Sequence, residues 1–336
     1  MGQSEKRWFV TGGCGFIGVN LIRVLRERRL VGSIRILDDL SVGRLAAIEN
    51  FAPVQQLMQP KPMADDHRVE LVRASITADV GEWVEGADVV VHLAANTGVQ
   101  TSIHSPRTDM EANVFGTFNL LEAARRAGTP RFVFASSGAP TGRVAPPIHE
   151  DVPCRPLSPY GASKLAGEGY CSAYLWSYGL GTVSLRFSNV YGPWSTHKGS
   201  VVALFIRQAL AGEPWTLNGD GEQTRDFIFI DDLVDAIIAA AEFSGGGEIF
   251  QVATGRATSV RKLAELLACE LQREFGIVPQ VRLGPPLPGD MPQNFASIAK
   301  ARRLLGWAPK WEIEDGIAVT VRWFGERRQQ PLGNIG

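Results

Sequence analysis

Gly12, Gly15 and Gly18 stand at three-residue intervals in Thr-Gly-Gly-Cys-Gly-Phe-Ile-Gly, residues 11–18. An apolar run, Trp8-Phe9-Val10, precedes them, and Asn20, Leu21, Ile22, Val24 and Leu25 follow at helical spacing. In such a connection the first glycine permits a tight turn and the second lets backbone approach a pyrophosphate. The third lets the helix pack on the strand. The start of the helix then offers unpaired N–H groups and a partial positive charge to an anion. A glycine triplet alone is weak evidence. Between a strand and a helix, within the first twenty residues, it is a stronger sign of a dinucleotide site.

The next strand, residues 34–37, ends at Asp38, twenty residues beyond Gly18. A carboxylate there accepts hydrogen bonds from an adenosine ribose and repels a 2′-phosphate, which favours NAD over NADP. Asp39 can share that role or stand as a solvated loop acid, and Asp38 can instead cap the turn 40–43. Residues 51–66, rich in Gln, Pro and Met with no clean period, are expected to form a surface insertion. Strands are expected at 69–72 and 88–93, the latter followed by Ala94, Ala95, Asn96, Thr97 and Gly98, past which a ligand can lie. Residues 108–127 are periodic as a helix through Met110, Val114, Phe118, Leu121 and Ala124, with Asn113 and Thr117 interrupting the apolar face. Residues 131–135 form a fifth strand ending in Ser136-Ser137-Gly138. A hydroxyl at the carboxyl end of a central parallel strand faces the ligand crevice, so Ser137 can bond a reacting oxygen; a serine-rich turn is the plain alternative.

Ser158-Pro159-Tyr160-Gly161-Ala162-Ser163-Lys164 opens another helix, since Pro159 is tolerated in a first turn. Leu165, Ala166, Tyr170, Ala173 and Tyr174 recur at helical spacing and predict its buried face. Tyr160 and Lys164, four residues apart, lie one above the other. A phenol normally loses its proton near pH ~10. An ammonium group one turn away favours the phenolate, and a cationic ligand favours it further. So arranged, a tyrosine becomes a usable proton acceptor. An amphipathic helix that merely contains the two residues accounts for the spacing equally well.

At 336 residues the chain is long enough for a large core and two lobes. Its formal net charge of −1 gives no field to draw in nucleic acid or an anionic membrane. No apolar run reaches the ~18 residues of a membrane span, and the polar residues 1–7 are not of secretory type. Cys14, Cys154, Cys171 and Cys269 are scattered without metal-type spacing, so no metal and a reduced, cytoplasmic setting are expected.

Taken in order, these pieces resemble the extended short-chain dehydrogenase/reductase family, and within it the NAD-dependent nucleotide-sugar 4-epimerases. The matching stretches are residues 11–18, His92-Leu93-Ala94-Ala95, residues 158–164, Leu185-Arg186-Phe187-Ser188-Asn189-Val190-Tyr191-Gly192-Pro193, Gly219-Asp220-Gly221 and Gln223-Thr224-Arg225-Asp226-Phe227. The resemblance implies a doubly wound parallel sheet of Rossmann type carrying NAD, with a smaller C-terminal α/β lobe for a nucleotide-sugar. Residues 1–190 would form the cofactor domain, with 226–256 returning to it, and 191–225 with 257–330 the substrate lobe. By the same resemblance Gly12, Gly15, Phe16, Ile17, Gly18, Asp38, Asp39, Ser41, Gly43, Ser75, Ile76, Leu93, Ala94, Ala95, Thr97, Asn113, Ser136, Tyr160, Lys164 and Phe187 would hold the cofactor. Asn189 and Arg225 would bind the sugar nucleotide's pyrophosphate, for which an arginine fork is suited. Val201 would lie by the base and Asp290 at the ribose, and His197 would be a loop residue rather than an acid. Helices at 108–127 and 160–178 would join a homodimer.

The implied reaction is reversible oxidation at C4 of a UDP-linked hexose. Tyr160 would take the hydroxyl proton, Lys164 would keep Tyr160 ionised and hold the nicotinamide ribose, and Ser137 would bond the C4 oxygen. Three departures from the family pattern stand out. Ala74-Ser75-Ile76 lacks a carboxylate contact to adenine, and Pro140-Thr141-Gly142 replaces Val-Tyr-Gly. Leu287 stands where epimerases often place an arginine, so one phosphate contact is lost or supplied from elsewhere, for instance by Lys198. Dehydratase and decarboxylase relatives place acids beside the serine. Gly138-Ala139-Pro140 offers no ionisable group, which favours epimerisation over dehydration or net oxidoreduction; UDP-glucuronate epimerisation is a further alternative. Asn294 lies four places after Asp290, where a large tyrosine excludes N-acetyl groups in hexose epimerases. Being shorter, it predicts a pocket that admits an N-acetylhexosamine as well as a hexose.

Overall fold

The computed structural model describes residues 5–286 and 291–329. In chain order the strands are β1 (Lys6–Thr11), β2 (Val31–Asp38), β3 (Val54–Gln56), β4 (Val69–Arg73), β5 (Val89–His92), β6 (Arg131–Ser137), β7 (Gly181–Phe187), β8 (Asn189–Tyr191), β9 (Trp215–Asn218), β10 (Thr224–Arg225), β11 (Phe227–Phe229), β12 (Glu248–Val252), β13 (Thr258–Ser259) and β14 (Val281–Gly284). The α-helices are α1 (Phe16–Glu27), α2 (Ala46–Glu49), α3 (Val99–His104), α4 (Pro106–Met110), α5 (Gly116–Arg126), α6 (Pro159–Tyr178), α7 (Val201–Ala211), α8 (Ile230–Glu242), α9 (Val260–Phe275), α10 (Ala299–Leu305) and α11 (Ile313–Gln329).

Eight strands make one parallel sheet in the order β12-β7-β6-β5-β1-β2-β4-β3. The chain begins in the middle, winds outward to β3, then crosses back to build the other half from β5. The strand order therefore reverses between β1 and β5, and their carboxyl ends frame the crevice where such sheets bind ligands. Side chains alternate between two cores. Trp8, Val10, Val89, Val91 and Val133 enter one, and Phe9, Val90, Phe132 and Phe134 the other. With both faces covered, the strands read as continuous apolar runs rather than alternating ones. The larger core continues through Phe205 of α7, Leu267 of α9 and Val321 of α11, so the expected lobes share apolar packing.

Three expectations are corrected. Residues 51–66 are not only a surface insertion: β3 joins the sheet edge beside β4, and Leu57 and Met63 are buried. The anchor is Arg35, fully buried on β2, which donates to Glu70 across the strand pair and to the carbonyls of Lys61 and Trp83. A segment held through its carbonyls by an arginine far away in sequence carries no side-chain period. The helix expected over 108–127 is instead α4 and α5 joined by a π-helical turn, Glu111–Phe115. The wider turn changes the phase, so Asp109, Asn113 and Thr117 face inward while Met110 and Phe118 are exposed. On α6 the buried face is Gly161, Ser163, Lys164, Gly167, Glu168, Cys171 and Tyr174, not Tyr170 or Ala173. Gly167 lies against the Phe134 ring, which a side chain there would strike.

Candidate active site

The glycine turn leaves β1 at the sheet's reversal point. Gly12 has φ +68, and a Cβ on it would lie 2.7 Å from the Ala94 nitrogen, so the turn and the segment after β5 touch backbone to backbone. A Cβ at Gly18 would meet the Gly12 carbonyl at 2.5 Å, which fixes how closely α1 approaches. Among the described residues no side chain caps α1, whose N-cap is Gly15, so its first-turn N–H groups lack an intrahelical acceptor. Asp38 ends β2 buried, its Oδ2 accepting from Cys14 N at 2.9 Å and its Oδ1 from Leu40 N at 2.8 Å. It therefore caps its own turn and also ties that turn to the glycine loop. Burial pushes its carboxyl up, and the two N–H donors pull it back. Each oxygen keeps a lone pair for a ribose hydroxyl. Asp39 holds Ser41 through its backbone nitrogen and hydroxyl, and Gly43 packs on Cys14 and Gly15. An uncapped helix start, a backbone-lined turn and a carboxylate at the next strand's end fit a pyrophosphate and an adenosine ribose. Along the same rim, Ser75 bonds the Thr77 hydroxyl, Ile76 packs under Gly116, and Leu93, Ala94 and Ala95 are half-buried. Thr97 is exposed and Phe187 half-buried.

Ser137 closes β6, and Tyr160 and Lys164 rise from the first turns of α6. Ser158 caps that helix by accepting from Gly161 N at 3.1 Å. Burial pushes the Tyr160 phenol above its ordinary value, and the neighbouring Ser137 hydroxyl offsets part of that. Lys164 is buried, and its Nζ donates to the Ala135 carbonyl at 2.9 Å; burial pulls it down to about 8. Its ammonium lies 6.0 Å from the centre of the Tyr160 ring. The hydroxyl of Ser136 donates to Glu168 at 2.6 Å, so its proton is engaged there. Asn113 donates to the Asn96 carbonyl at 2.9 Å and accepts from Asn96 N at 2.8 Å.

Two buried networks were not foreseen. Thr117 donates to the Asn113 carbonyl, so it accepts from Nε2–H of His92, and Nδ1 of His92 accepts from Thr11. This neutral imidazole locks β1, β5 and the π-helical turn together, and burial pulls it down to about 3. Behind Ser136, Glu168 and Arg186 form an ion pair at 2.8 Å with both side chains almost wholly buried. The legible sign was a charged residue inside each apolar pattern, Glu168 on the helix and Arg186 on the strand.

On the substrate side, Asn189 starts β8, paired in parallel with β11, and its nitrogen donates to the Asp226 carbonyl at 3.0 Å. Arg225 donates to the carbonyl of Met291, and Asn294 N donates to Thr224 O at 3.2 Å, so residues 291–294 run beside Arg225. Val201 is the first residue of α7. Asp290 and Leu287 lie outside the described residues. Lys198 stands 5.1 Å from the centre of the Phe16 ring, beside the glycine turn, and burial pulls it down to about 8. His197 is exposed, lowered by partial burial and by Arg44 and Arg207 nearby. Asp226, buried, holds Thr254 and Gly255 through their backbone nitrogens. No described helix is long and apolar enough to cross a membrane.

The sequence pattern of the NAD dependent epimerase/dehydratase family matches residues 8–253, and the chain belongs to that family. It is 38% identical over 332 residues to a UDP-glucose 4-epimerase of Mycolicibacterium smegmatis, covering 96% of this chain and 100% of the relative. Among solved structures, the UDP-glucose 4-epimerase of Thermus thermophilus in complex with NAD superposes with a TM-score of 0.80 at 36% identity, covering 95% of this chain and 99% of that one. The UDP-N-acetylglucosamine 4-epimerase of Methanobrevibacter ruminantium, in complex with UDP-N-acetylmuramic acid, gives 0.85 at 28% identity, covering 97% and 100%.

Proposed function

We propose that this chain epimerises C4 of a UDP-linked hexose, with NAD held between the two half-reactions. The observation that carries the reading is Ser137, Tyr160 and Lys164 meeting at the carboxyl end of β6, with no ionisable group in Gly138-Ala139-Pro140 beside them. Bound NAD supplies the chemistry of accepting a hydride from C4 and returning it to the other face. Tyr160 accepts the C4 hydroxyl proton and later gives it back, so no proton is lost over the cycle. Ser137 orients the C4 oxygen, and Lys164 supplies a positive charge below the phenol. Asn189 and Arg225 hold the sugar nucleotide's diphosphate, the turn at 12–18 and Asp38 hold the dinucleotide, and buried Asn113 fixes the Asn96 backbone on the cofactor rim. Lys198 adds a cation on the cofactor side.

Purified protein given UDP-glucose, UDP-N-acetylglucosamine and UDP-glucuronate should bring at least the first to an equilibrium of C4 epimers by NMR, with no build-up of NADH. Loss of water from the product, or NADH formed in step with turnover, would assign a dehydratase or an oxidoreductase instead. Asn294 supports breadth toward N-acetyl sugars. Asn294→Tyr is expected to lower the specificity constant for UDP-N-acetylglucosamine relative to UDP-glucose by about 10-fold. An unchanged ratio removes Asn294 from the pocket wall. The working form is a homodimer in the cytoplasm, joined through α5 and α6, whose outer faces expose Phe118 and Tyr170.

A further inference from the structure

Asp109 has no part in the roles above. It lies on α4 immediately before the π-helical turn and is 1% exposed. Its Oδ1 accepts from Asn113 Nδ2 at 3.0 Å, and its Oδ2 is sealed from solvent without a hydrogen-bond partner among the described residues. A buried carboxylate oxygen in that state is costly unless a positive charge offsets it. The same Asn113 amide, its two hydrogens shared among Asp109, the Asn96 carbonyl and Ser163, lies 3.1 Å from Ser163 Oγ, and Ser163 donates to the Tyr160 carbonyl at 3.0 Å. The line from Asp109 thus ends on the turn of α6 that carries Tyr160 and Lys164. Lys164 has the complementary need: it is buried, its ammonium donates to a neutral carbonyl, and no salt bridge to it exists among the described residues.

We propose that Asp109 is the counter-charge of the Tyr160–Lys164 pair, a positioning residue that holds Lys164 protonated and sets where the phenol ionises. The inference rests on Tyr160 being the proton acceptor. The electrostatics around the pair agree. Against the burial that lowers Lys164, Asp109 is the foremost charge raising it, ahead of Cys171 and Glu168. The same carboxylate adds to the burial that raises Tyr160. The other groups facing the pair are engaged elsewhere or neutral. Glu168 is paired with Arg186, burial drives the Cys171 thiol up, and His92 on β5 stays neutral. On Asp109's own side, Arg107 and Glu111 pair with each other at the surface.

One negative charge raises both groups, so its removal lowers both. Asp109→Asn keeps the side chain's shape and an acceptor for Asn113. The test is the pH dependence of kcat for the parent, Asp109→Asn and Tyr160→Phe, with bound NAD content and Tm measured alongside. Both limbs of the Asp109→Asn profile should move toward acid, by about half a unit or more each. Asp109→Glu, which restores the charge, should bring them back. A kcat lowered equally at every pH, with the limbs fixed, would overturn the inference and leave Asp109 a helix-packing residue. If the Asn variant does not fold, Asp109→Ser reads the same limbs. An inactive Tyr160→Phe with fixed limbs in Asp109→Asn defeats this inference alone. A Tyr160→Phe enzyme as active as the parent defeats the reading beneath it.

Discussion

Asp38 caps its turn, one of two duties that the sequence offered as alternatives, and stands where it could serve the other. Its carboxylate receives Cys14 N and Leu40 N, which makes it a turn cap, and it ends β2 where a ribose would lie. One side chain can serve both because a carboxylate accepts up to about four hydrogen bonds. The two duties separate on substitution. Asp38→Asn keeps one of the two acceptors for the turn, turns the other into an amide donor, and removes the charge that repels a 2′-phosphate. It should therefore narrow the preference for NAD over NADP by about 10-fold, with Tm lowered by the loss of one backbone hydrogen bond, by fluorescence titration and a thermal melt. A large fall in Tm with an unchanged cofactor ratio would assign Asp38 to the turn alone. Lys164 teaches a related lesson. Its spacing from Tyr160 was legible, but its burial was not, and burial lets its ammonium give up a proton more readily than an exposed lysine does.

At the scale of elements, the parts that were legible are those whose signal is local. The glycine turn, the five strands that read as apolar runs and the capped start of α6 all follow from neighbours within a few residues. What was missed depends on partners distant in sequence. Arg35 anchoring Lys61 and Trp83 turned a featureless stretch into the sheet edge, and one π-helical turn rotated the inward face of 108–127. The Glu168–Arg186 pair belongs to the same class: it clamps α6 to β7, and through Ser136 to β6, directly behind the proposed catalytic groups. Removing one partner of so buried a pair leaves a charge in the core. Glu168→Gln is thus expected to cost about 3–5 kcal/mol in denaturant unfolding, against at most ~1 kcal/mol for Arg107→Ala at the surface. Equal, small losses in both variants would show that water reaches the pair.

For the whole molecule, His92 predicts an acid limit, and the exposed rings of α5 and α6 predict an assembly state. The imidazole's ordinary value of 6.5 falls to about 3 on folding, so between those values the unfolded chain binds a proton that the folded chain does not. Stability should fall as pH drops through that window, by up to ~1.4 kcal/mol per unit from this group, and a flat acid limb would mean the network opens. The assembly prediction starts from α3 to α6. Val99, Ile103, Met110, Phe115, Phe118, Tyr170 and Trp176 are exposed there, Trp176 to 83%, and the Phe118 and Tyr170 rings meet edge to face at 6.0 Å. Exposed apolar rings that meet, as Phe118 and Tyr170 do, point to an interaction surface, whereas single ones such as Met58 are ordinary. A two-fold axis through this face would set each copy's patch against the other's, so one substitution acts twice. Phe118→Glu should therefore place like charges across the axis and yield monomers by light scattering at micromolar concentration, while Met58→Glu leaves the mass of the parent. A parent that is monomeric, or a Phe118→Glu variant that keeps the parent's mass, would remove this face from the assembly.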